Sequence, residues 1–485
     1  MTLHKLIEIC NPLHVTNKNI DAKLTTFAID SREAQDGSVF IAIRGTQVDG
    51  HMFLEDAINR GARVIICEES YYTDEDVCVI EVENTQKLAG SIAQAFEGNP
   101  GDQLKVIGIT GTNGKTTTAT LVYQVLSACG RKASLLGTVS KQILNEEFDS
   151  KLTTSDPIEL AKDMKTMVDA GSEFLVMEVS SHALHQHRTA GFDFTVAAFT
   201  NLSHDHLDYH ETLEEYAKAK KMLFDNLPES SVAVVNMDDQ YGQQMIEDCK
   251  AQQLYLSFNN DTAYILENSA QGISVIVDGE KIESPLVGKF NAYNIGLTYL
   301  ICKALGLEPK EIIEALQNTK GAAGRMEPVT VEGDDLPLVI VDYAHTPDAL
   351  QNVLSTLSAV KDASQKLTVV FGAGGDRDTS KRPEMAKVSE EFADKIIVTS
   401  DNPRTENPDL IITDILDGFE NLDSVKSITN RKEAIERAIT EASENEIILI
   451  AGKGHENYQE VNGKRHHFDD REVAVEFLTQ KAGGN

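Results

Sequence analysis

Positive charge is what this chain most lacks. Forty-four Lys and Arg face 77 Asp and Glu in 485 residues, a formal net charge of −33. Such a surface repels nucleic-acid backbones and anionic membranes alike, so neither is expected as a partner. An anionic substrate must then be held by a few local cations set in Gly, Ser or Pro turns. Cysteine is also sparse: Cys10, Cys67, Cys78, Cys129, Cys249 and Cys302 are scattered, with no C-x-x-C pair. That excludes a disulfide framework and a cysteine zinc site, and leaves most of them as small buried hydrophobes. No apolar run approaches the length of a membrane span, and MTLHKLIEICN lacks the hydrophobic core of a signal peptide. A cytoplasmic monomer is the expectation.

What is present is an ordinary composition, 41% hydrophobic and 25% charged, over a length that exceeds one core and predicts three α/β domains. Residues 1–98 read as a small mixed α/β domain. Short β-like runs at Thr26 to Ile29 and Ser38 to Ile43 flank the turn Asp36-Gly37. Ser31 and Arg32 end the first run, where a hydroxyl and a guanidinium either meet a phosphate or form a solvated turn.

Residues 99–333 read as a central P-loop ATPase domain. KVIGITGTNGKTTT, from Lys105 to Thr118, is a buried strand, a glycine turn and a helix start. This layout aims backbone N–H groups into one concavity at a helix N-terminus, adds a cation at Lys115 and offers the Thr116 hydroxyl to magnesium. Ile109 replaces the first glycine of the strict G-x-x-x-x-G-K-[ST] spacing, so the loop is a variant. Further strands at Ser134 to Val139, Phe174 to Ser180, Thr195 to Thr200 and Val232 to Asn236 alternate with helices and predict a parallel sheet with ligands at its carboxyl edge. TTSDP (Thr153 to Pro157), EVSSHALHQHR (Glu178 to Arg188) and NLSHDHLDYH (Asn201 to His210) fall at that edge. Glu178 is delivered beside the phosphate loop, as a second magnesium carboxylate or an exposed strand-end acid. The three histidines of HDHLDYH allow zinc, but with no thiolate and a magnesium loop nearby His206 is assigned to magnesium and phosphate. In TLEEYAKAKKMLFDNL the apolar positions Leu213, Tyr216, Met222, Leu223 and Phe224 share a helix face, and Lys218, Lys220 and Lys221 read as a solvated basic face. Residues 263–287 predict two or three antiparallel strands. Asn291 and Asn294 follow on one helix face, to read a base or to tether the helix.

Residues 334–485 read as a Rossmann-like, doubly wound domain whose strands end in DYAHTP, GAGGDR, SDNPR and AGKGHE. GAGGDR is not G-x-G-x-x-G, which argues against a nicotinamide cofactor. Arg377 and Arg404 sit at strand ends, where a guanidinium takes a carboxylate bidentately, and two such loops suggest a substrate with more than one carboxylate.

TGTNGKTTT, EVSSHAL, HDHLDYH with downstream AKKMLF, FNAYN, GRME, DYAHTPD, GDRDTSKRP, SDNPR and AGKGHE occur in this order. Together with the N-terminal DSR and DGH they resemble the motifs of the Mur ligases over essentially the whole chain. The resemblance implies ATP and Mg2+ at Gly111, Thr112, Asn113, Gly114, Lys115, Thr116 and Thr117, with Asn294, Arg325, Asp342 and His345 about the nucleotide. It implies Ser31 at the UDP-sugar end and Thr153, Thr154, Ser180, Gln186 and Arg188 on the muramoyl dipeptide. It turns Lys220 from a solvated cation into a carboxylated metal ligand beside Thr116, Glu178 and His206, with Lys115, Glu178, His206 and Lys220 as the catalytic set. The amino-acid pocket implied is Arg377, Asp401, Asn402, Pro403, Arg404, Gly452 and Glu456. Arg404 of DNPR resembles the branch that adds meso-diaminopimelate in peptidoglycan precursor synthesis, since lysine-adding relatives lack that arginine. The alternatives are a lysine-adding or folylpolyglutamate-type ligase, a nucleotide-dependent switch, and a zinc hydrolase built on HDHLDYH.

Overall fold

The structure, a computed structural model, describes the chain except residues 21–22, 46–47, 151, 204–206, 261–262 and 484–485, and the side chains of 207 and 208. The chain divides into two compact units, Met1–Asp261 with Gly296–Ala315, and Thr262–Ile295 with Leu316–Asn485.

Two sheets organise the first unit. The amino-terminal one has the strand order His14–Thr16, Cys78–Glu81, Ala62–Cys67, Ser38–Ile41, Thr26–Ala28. Its strands are parallel except for the antiparallel edge pair of His14–Thr16 with Cys78–Glu81. The period of two is plain in the core. Val39, Ile41, Val64 and Ile66 pack with Leu6, Ile92 and Ala93 on one face, while Phe40, Ile65, Cys67 and Val79 pack with Leu54 and Ala57 on the other. Strands covered on both faces read as continuous apolar runs, as VIIC, Val64 to Cys67, does.

The second sheet runs Gln252–Leu256, Val232–Asn236, Val196–Phe199, Lys105–Thr110, Phe174–Glu178, Ala133–Leu136, Lys141–Ile143, Glu146–Phe148. Its first six strands are parallel, and the last two form an antiparallel extension. Lys105–Thr110 lies between Phe174–Glu178 and Val196–Phe199, strands that come later in the chain, so the order reverses beside it. Ligands of open α/β sheets bind outside the strand carboxyl ends at such a point.

In the second unit, Ala263–Ser269, Gly272–Val277 and Glu280–Ser284 form the expected antiparallel strands, three in number. A six-stranded sheet follows in the order Glu327–Val329, Leu338–Asp342, Glu446–Ala451, Lys366–Phe371, Lys395–Thr399, Val425–Ile428. All pairs but the first are parallel. Helices Pro347–Val360, Lys381–Phe392 and Pro408–Leu416 pack on one face through Leu354, Met385 and Ile412. Arg431–Thr440 and Asp470–Gly483 pack on the other through Ile435, Ile439 and Phe477. This is the doubly wound arrangement that the alternating segments predict.

Candidate functional site

The site residues fall into two groups, one in each unit. In the first unit, Lys105–Thr110 ends at Gly111, whose φ is +148° and whose Cβ, if present, would lie 1.9 Å from Thr200 Oγ1. Only glycine fits that approach. The loop then turns through Gly114 (φ +84°) into the helix Lys115–Ala128. Asn201 ties the turn down: its carbonyl accepts from Thr112 N at 2.8 Å, its Oδ1 accepts from Asn113 N at 3.0 Å, and its Nδ2 donates to the Asn113 carbonyl at 3.0 Å. Thr200 Oγ1 donates to the same Asn113 carbonyl at 2.6 Å. Thr112 and Asn113 amides are thus engaged by protein. Lys115 Nζ folds back onto the carbonyls of Gly111 (2.8 Å) and Thr112 (2.7 Å).

Glu178 is buried, not an exposed strand-end acid. Its Oε2 accepts from Thr116 Oγ1 at 2.8 Å and Thr138 Oγ1 at 3.3 Å, and its Oε1 accepts from Thr138 N at 2.7 Å. A hydroxyl, a carboxylate and a second hydroxyl make an all-oxygen set, which suits Mg2+ and not a thiophilic metal. Lys220 is likewise buried while Lys218 is exposed and Lys221 pairs with Asp225 and Asp248, so the three lysines do not share one solvated face. Lys220 Nζ donates to the Gly111 carbonyl at 2.8 Å and lies 4.4 Å from the Tyr216 ring centroid. His206 lies outside the described residues.

Beside Glu178, Thr154 Oγ1 donates to the Glu178 carbonyl at 2.9 Å and accepts from Ser180 N at 3.1 Å. Arg188 donates to the Thr154 carbonyl (2.9 Å) and to Gln186 Oε1 (2.7 and 3.0 Å), and Gln186 Nε2 donates to Tyr209 Oη at 3.0 Å. Thr153 Oγ1 accepts from Thr138 Oγ1 at 3.0 Å. The five residues expected on the dipeptide therefore form one network with Glu178. Burial holds the Arg188 guanidinium below its usual range. Near the amino terminus, Ser31 is buried, and the Arg32 guanidinium is committed to Asp30 at 2.6–3.1 Å. Of the two readings of that turn, the pairing makes the Arg32 end an intramolecular ion pair.

In the second unit, Asn291 Nδ2 donates to the Val287 carbonyl and Asn294 Nδ2 donates to Asn291 Oδ1, each at 2.8 Å. The two amides are coupled to each other along the helix. Asp342 accepts from Met326 N (2.7 Å) and Ala344 N (2.8 Å). Burial pushes its carboxyl up, against the pull of Arg325. Arg325 lies 4.9 Å from the Tyr343 ring centroid, and Tyr343 packs against both His345 and His455.

The loops after Lys366–Phe371, Lys395–Thr399 and Glu446–Ala451 converge. Arg404, with φ +51°, donates its backbone N–H to the Glu460 carbonyl at 3.0 Å, accepts from Asn462 N at 2.6 Å, and donates through Nη1 to the Gly375 carbonyl at 2.6 Å. Asn402 Nδ2 donates to Glu456 Oε2 at 2.8 Å. Gly452 has φ +120°, and a Cβ there would lie 2.4 Å from Asp401 Oδ2. Pro403 and Asn402 carry carbonyls that meet Gly375: its N–H donates to the Asn402 carbonyl at 2.9 Å. Arg377 is exposed on the first of these loops. Buried Arg325 Nε, Asp401 Oδ2 and His455 Nδ1 have no protein partner among the described residues.

Sequence pattern alone does not single out Thr138, Asn201 or Lys453. Each sits at a strand end, but only tertiary pairing gives it a partner in the site.

Three family domains match in order along the chain. Residues 23–97, 109–302 and 324–454 match, in turn, the Mur ligase family catalytic domain, the Mur ligase middle domain and the Mur ligase glutamate ligase domain. The UDP-N-acetylmuramoyl-L-alanyl-D-glutamate–2,6-diaminopimelate ligase of Parabacteroides distasonis is 42% identical over 478 residues, 97% of this chain and 98% of that protein. The chain belongs to the Mur ligase family. The Cytophaga hutchinsonii protein of the same name is 43% identical over 465 residues, 94% of this chain and 95% of its own. Among solved structures, a UDP-N-acetylmuramoyl-L-alanyl-D-glutamate–2,6-diaminopimelate ligase superposes with a TM-score of 0.72 at 33% identity, covering 96% of this chain and 97% of that one. The three-domain Mur ligase fold is therefore the fold of this chain. Among the described residues, no helix is long and apolar enough to cross a membrane.

Proposed function

We propose that this Mur ligase uses ATP to join the D-glutamate carboxylate of UDP-N-acetylmuramoyl-L-alanyl-D-glutamate to an amine of meso-diaminopimelate, a step of peptidoglycan precursor synthesis. The observation that carries the amino-acid half is the convergence of three neighbouring strand-end loops: Asn402 and Arg404 on one, Glu456 on the second, and the Gly375 carbonyl on the third. Donor, guanidinium and carboxylate together suit a substrate end bearing both a carboxylate and an ammonium. The names of the relatives support the same substrate.

A carboxylate is a poor acyl donor. In the first step its oxygen attacks the γ-phosphorus of ATP, ADP leaves, and an acyl phosphate forms. In the second, the free amine attacks the acyl carbon, and phosphate departs from the tetrahedral intermediate as the amide forms. No protein nucleophile is required. The amides at the start of helix Lys115–Ala128 and the Lys115 ammonium neutralise phosphate charge, and the loop held by Asn201 fixes its position. Thr154, Ser180, Gln186 and Arg188 orient the acceptor beside Glu178, and Ser31 lies at the UDP-sugar end. Asn294, Arg325, Asp342 and His345 bind the nucleotide.

Thr116, Glu178, His206 and a carboxylated Lys220 would hold magnesium, which supplies charge neutralisation on the phosphates. Carboxylation turns the buried Lys220 ammonium into an anionic oxygen donor. In purified protein, phosphate release from ATP is expected to require both the UDP-muramoyl dipeptide and an amino acid, with the amide product seen by mass. Release from ATP alone at the same rate is the outcome expected of a switch.

A further inference from the structure

Lysine is almost never fully buried unless paired, because desolvating an ammonium is costly. Lys453 is fully buried, and its partners lie in the loop cluster and not elsewhere in the core. Its Nζ donates to Asn402 Oδ1 and Glu456 Oε2, each at 3.2 Å, and sits 5.4 Å from the Tyr458 ring centroid. Asn402 Oδ1 also accepts from Glu460 N at 2.9 Å. Two donors on one oxygen fix which way the amide faces, so Asn402 Nδ2 must point toward Glu456, where it donates at 2.8 Å. Glu456 Oε2 in turn takes both Asn402 and Lys453, and Oε1 has no part in these bonds.

We propose that Lys453 is a positioning residue for the amino-acid substrate: it locks the Asn402 amide and the Glu456 carboxylate side by side, as a donor and an acceptor for a carboxylate and an ammonium on one carbon. The proposal rests on the reading of this cluster as the diaminopimelate pocket. Without the buried cation the amide keeps only the Glu460 N–H of the two donors that oppose its 180° turn, and the carboxylate loses a fixed anchor. Lys453 acts through these two groups and does not touch the reacting carboxylate or phosphate.

The test is steady-state phosphate release by the full-length protein, with KM taken for meso-diaminopimelate, ATP and the UDP-muramoyl dipeptide. The variants are Lys453→Met, Glu456→Gln and the double Lys453→Met/Glu456→Gln. Lys453→Met is expected to raise the KM for diaminopimelate about tenfold or more, as for a lost buried charge-assisted bond, and to leave the other two KM values within about twofold. In the Glu456→Gln background the same change is expected to add less than about threefold, because coupled residues are not additive. A purely structural role would lower kcat through the active fraction and leave that KM in place. An unchanged diaminopimelate KM in Lys453→Met, with a raised one in Glu456→Gln, overturns the proposal alone. An unchanged KM in Glu456→Gln overturns the pocket reading and the proposal with it. Where Lys453→Met fails to fold, the double variant, which removes both charges, decides: a KM well above that of Glu456→Gln contradicts action through Glu456.

Discussion

Lys220 Nζ donates to the Gly111 carbonyl across 109 residues of sequence, at 2.8 Å, and Lys115 Nζ donates to the same oxygen at the same distance. Two ammonium groups on one carbonyl repel each other, and one of them is buried. Carboxylation of Lys220, as proposed, would remove that repulsion and leave an N–H to keep the bond. With 13C-labelled bicarbonate, a carbamate resonance is expected in the wild type and absent in Lys220→Arg. Lys220→Ala is expected to lower kcat by about 10²–10³, the usual loss for a charge-stabilising group. Wild-type turnover in Lys220→Ala would contradict the assignment.

A second prediction concerns Arg431 and Asp470, both fully buried, paired at 2.7 Å through two parallel bonds. Arg431 also donates to the Ala451 carbonyl at 3.0 Å, fixing the end of the strand that leads to Gly452. Arg431→Met leaves an uncompensated buried carboxylate and is expected to cost about 3–5 kcal/mol in urea unfolding. Arg431→Met with Asp470→Leu is expected to recover part of that loss. A double variant less stable than the single one would contradict the account.

His455 gives a pH dependence. Burial, and after it the Arg325 guanidinium, lower its pKa below the ordinary value of 6.5. The unfolded chain then binds the proton more readily, so this contribution to stability is fully present above pH 6.5 and is lost as pH falls through the folded value. Between pH 7.5 and 5.5 the urea midpoint is expected to fall further in the wild type than in His455→Gln. Equal falls would contradict it.

The thiols follow from burial. Burial pushes Cys10 up to about 12 and Cys67 and Cys78 up to about 11, and raises Cys302 further still. Only Cys129 and Cys249 are half-buried. A thiol reagent at pH 8 is expected to titrate at most these two in native protein and all six after denaturation. More than two native thiols would show that the cores open.

Much of this site is legible in the sequence wherever function depends on local spacing. The phosphate loop, the delivery of Glu178 by an apolar strand, and the polar loops after each strand of the second unit are consecutive residues with one meaning. Lys220 is different. Helical pattern alone places it with Lys218 and Lys221, and only packing buries it, so family resemblance was needed to single it out. Lys453 and the Arg431–Asp470 pair were missed for the same reason: a buried cation looks like a solvated one until its partner, 39 residues away for Arg431, is known. Arg32 shows the converse, a guanidinium in a promising turn that is spent on its neighbour Asp30.

In the proposed function Arg404 takes the second carboxylate of the amino-acid substrate. The half-buried Arg404 guanidinium, held by the Gly375 carbonyl at 2.6 Å and by Glu460 at 3.8 Å, would gain a charge-assisted bond to that carboxylate, and an amino acid with a methylene in its place would forgo it. The direct measurement is phosphate release with the UDP-muramoyl dipeptide, comparing meso-diaminopimelate with L-lysine in the wild type and Arg404→Ala. The account predicts a diaminopimelate preference of at least about a hundredfold in kcat/KM that collapses in the variant. A wild-type preference for lysine, or a preference untouched by Arg404→Ala, would contradict it.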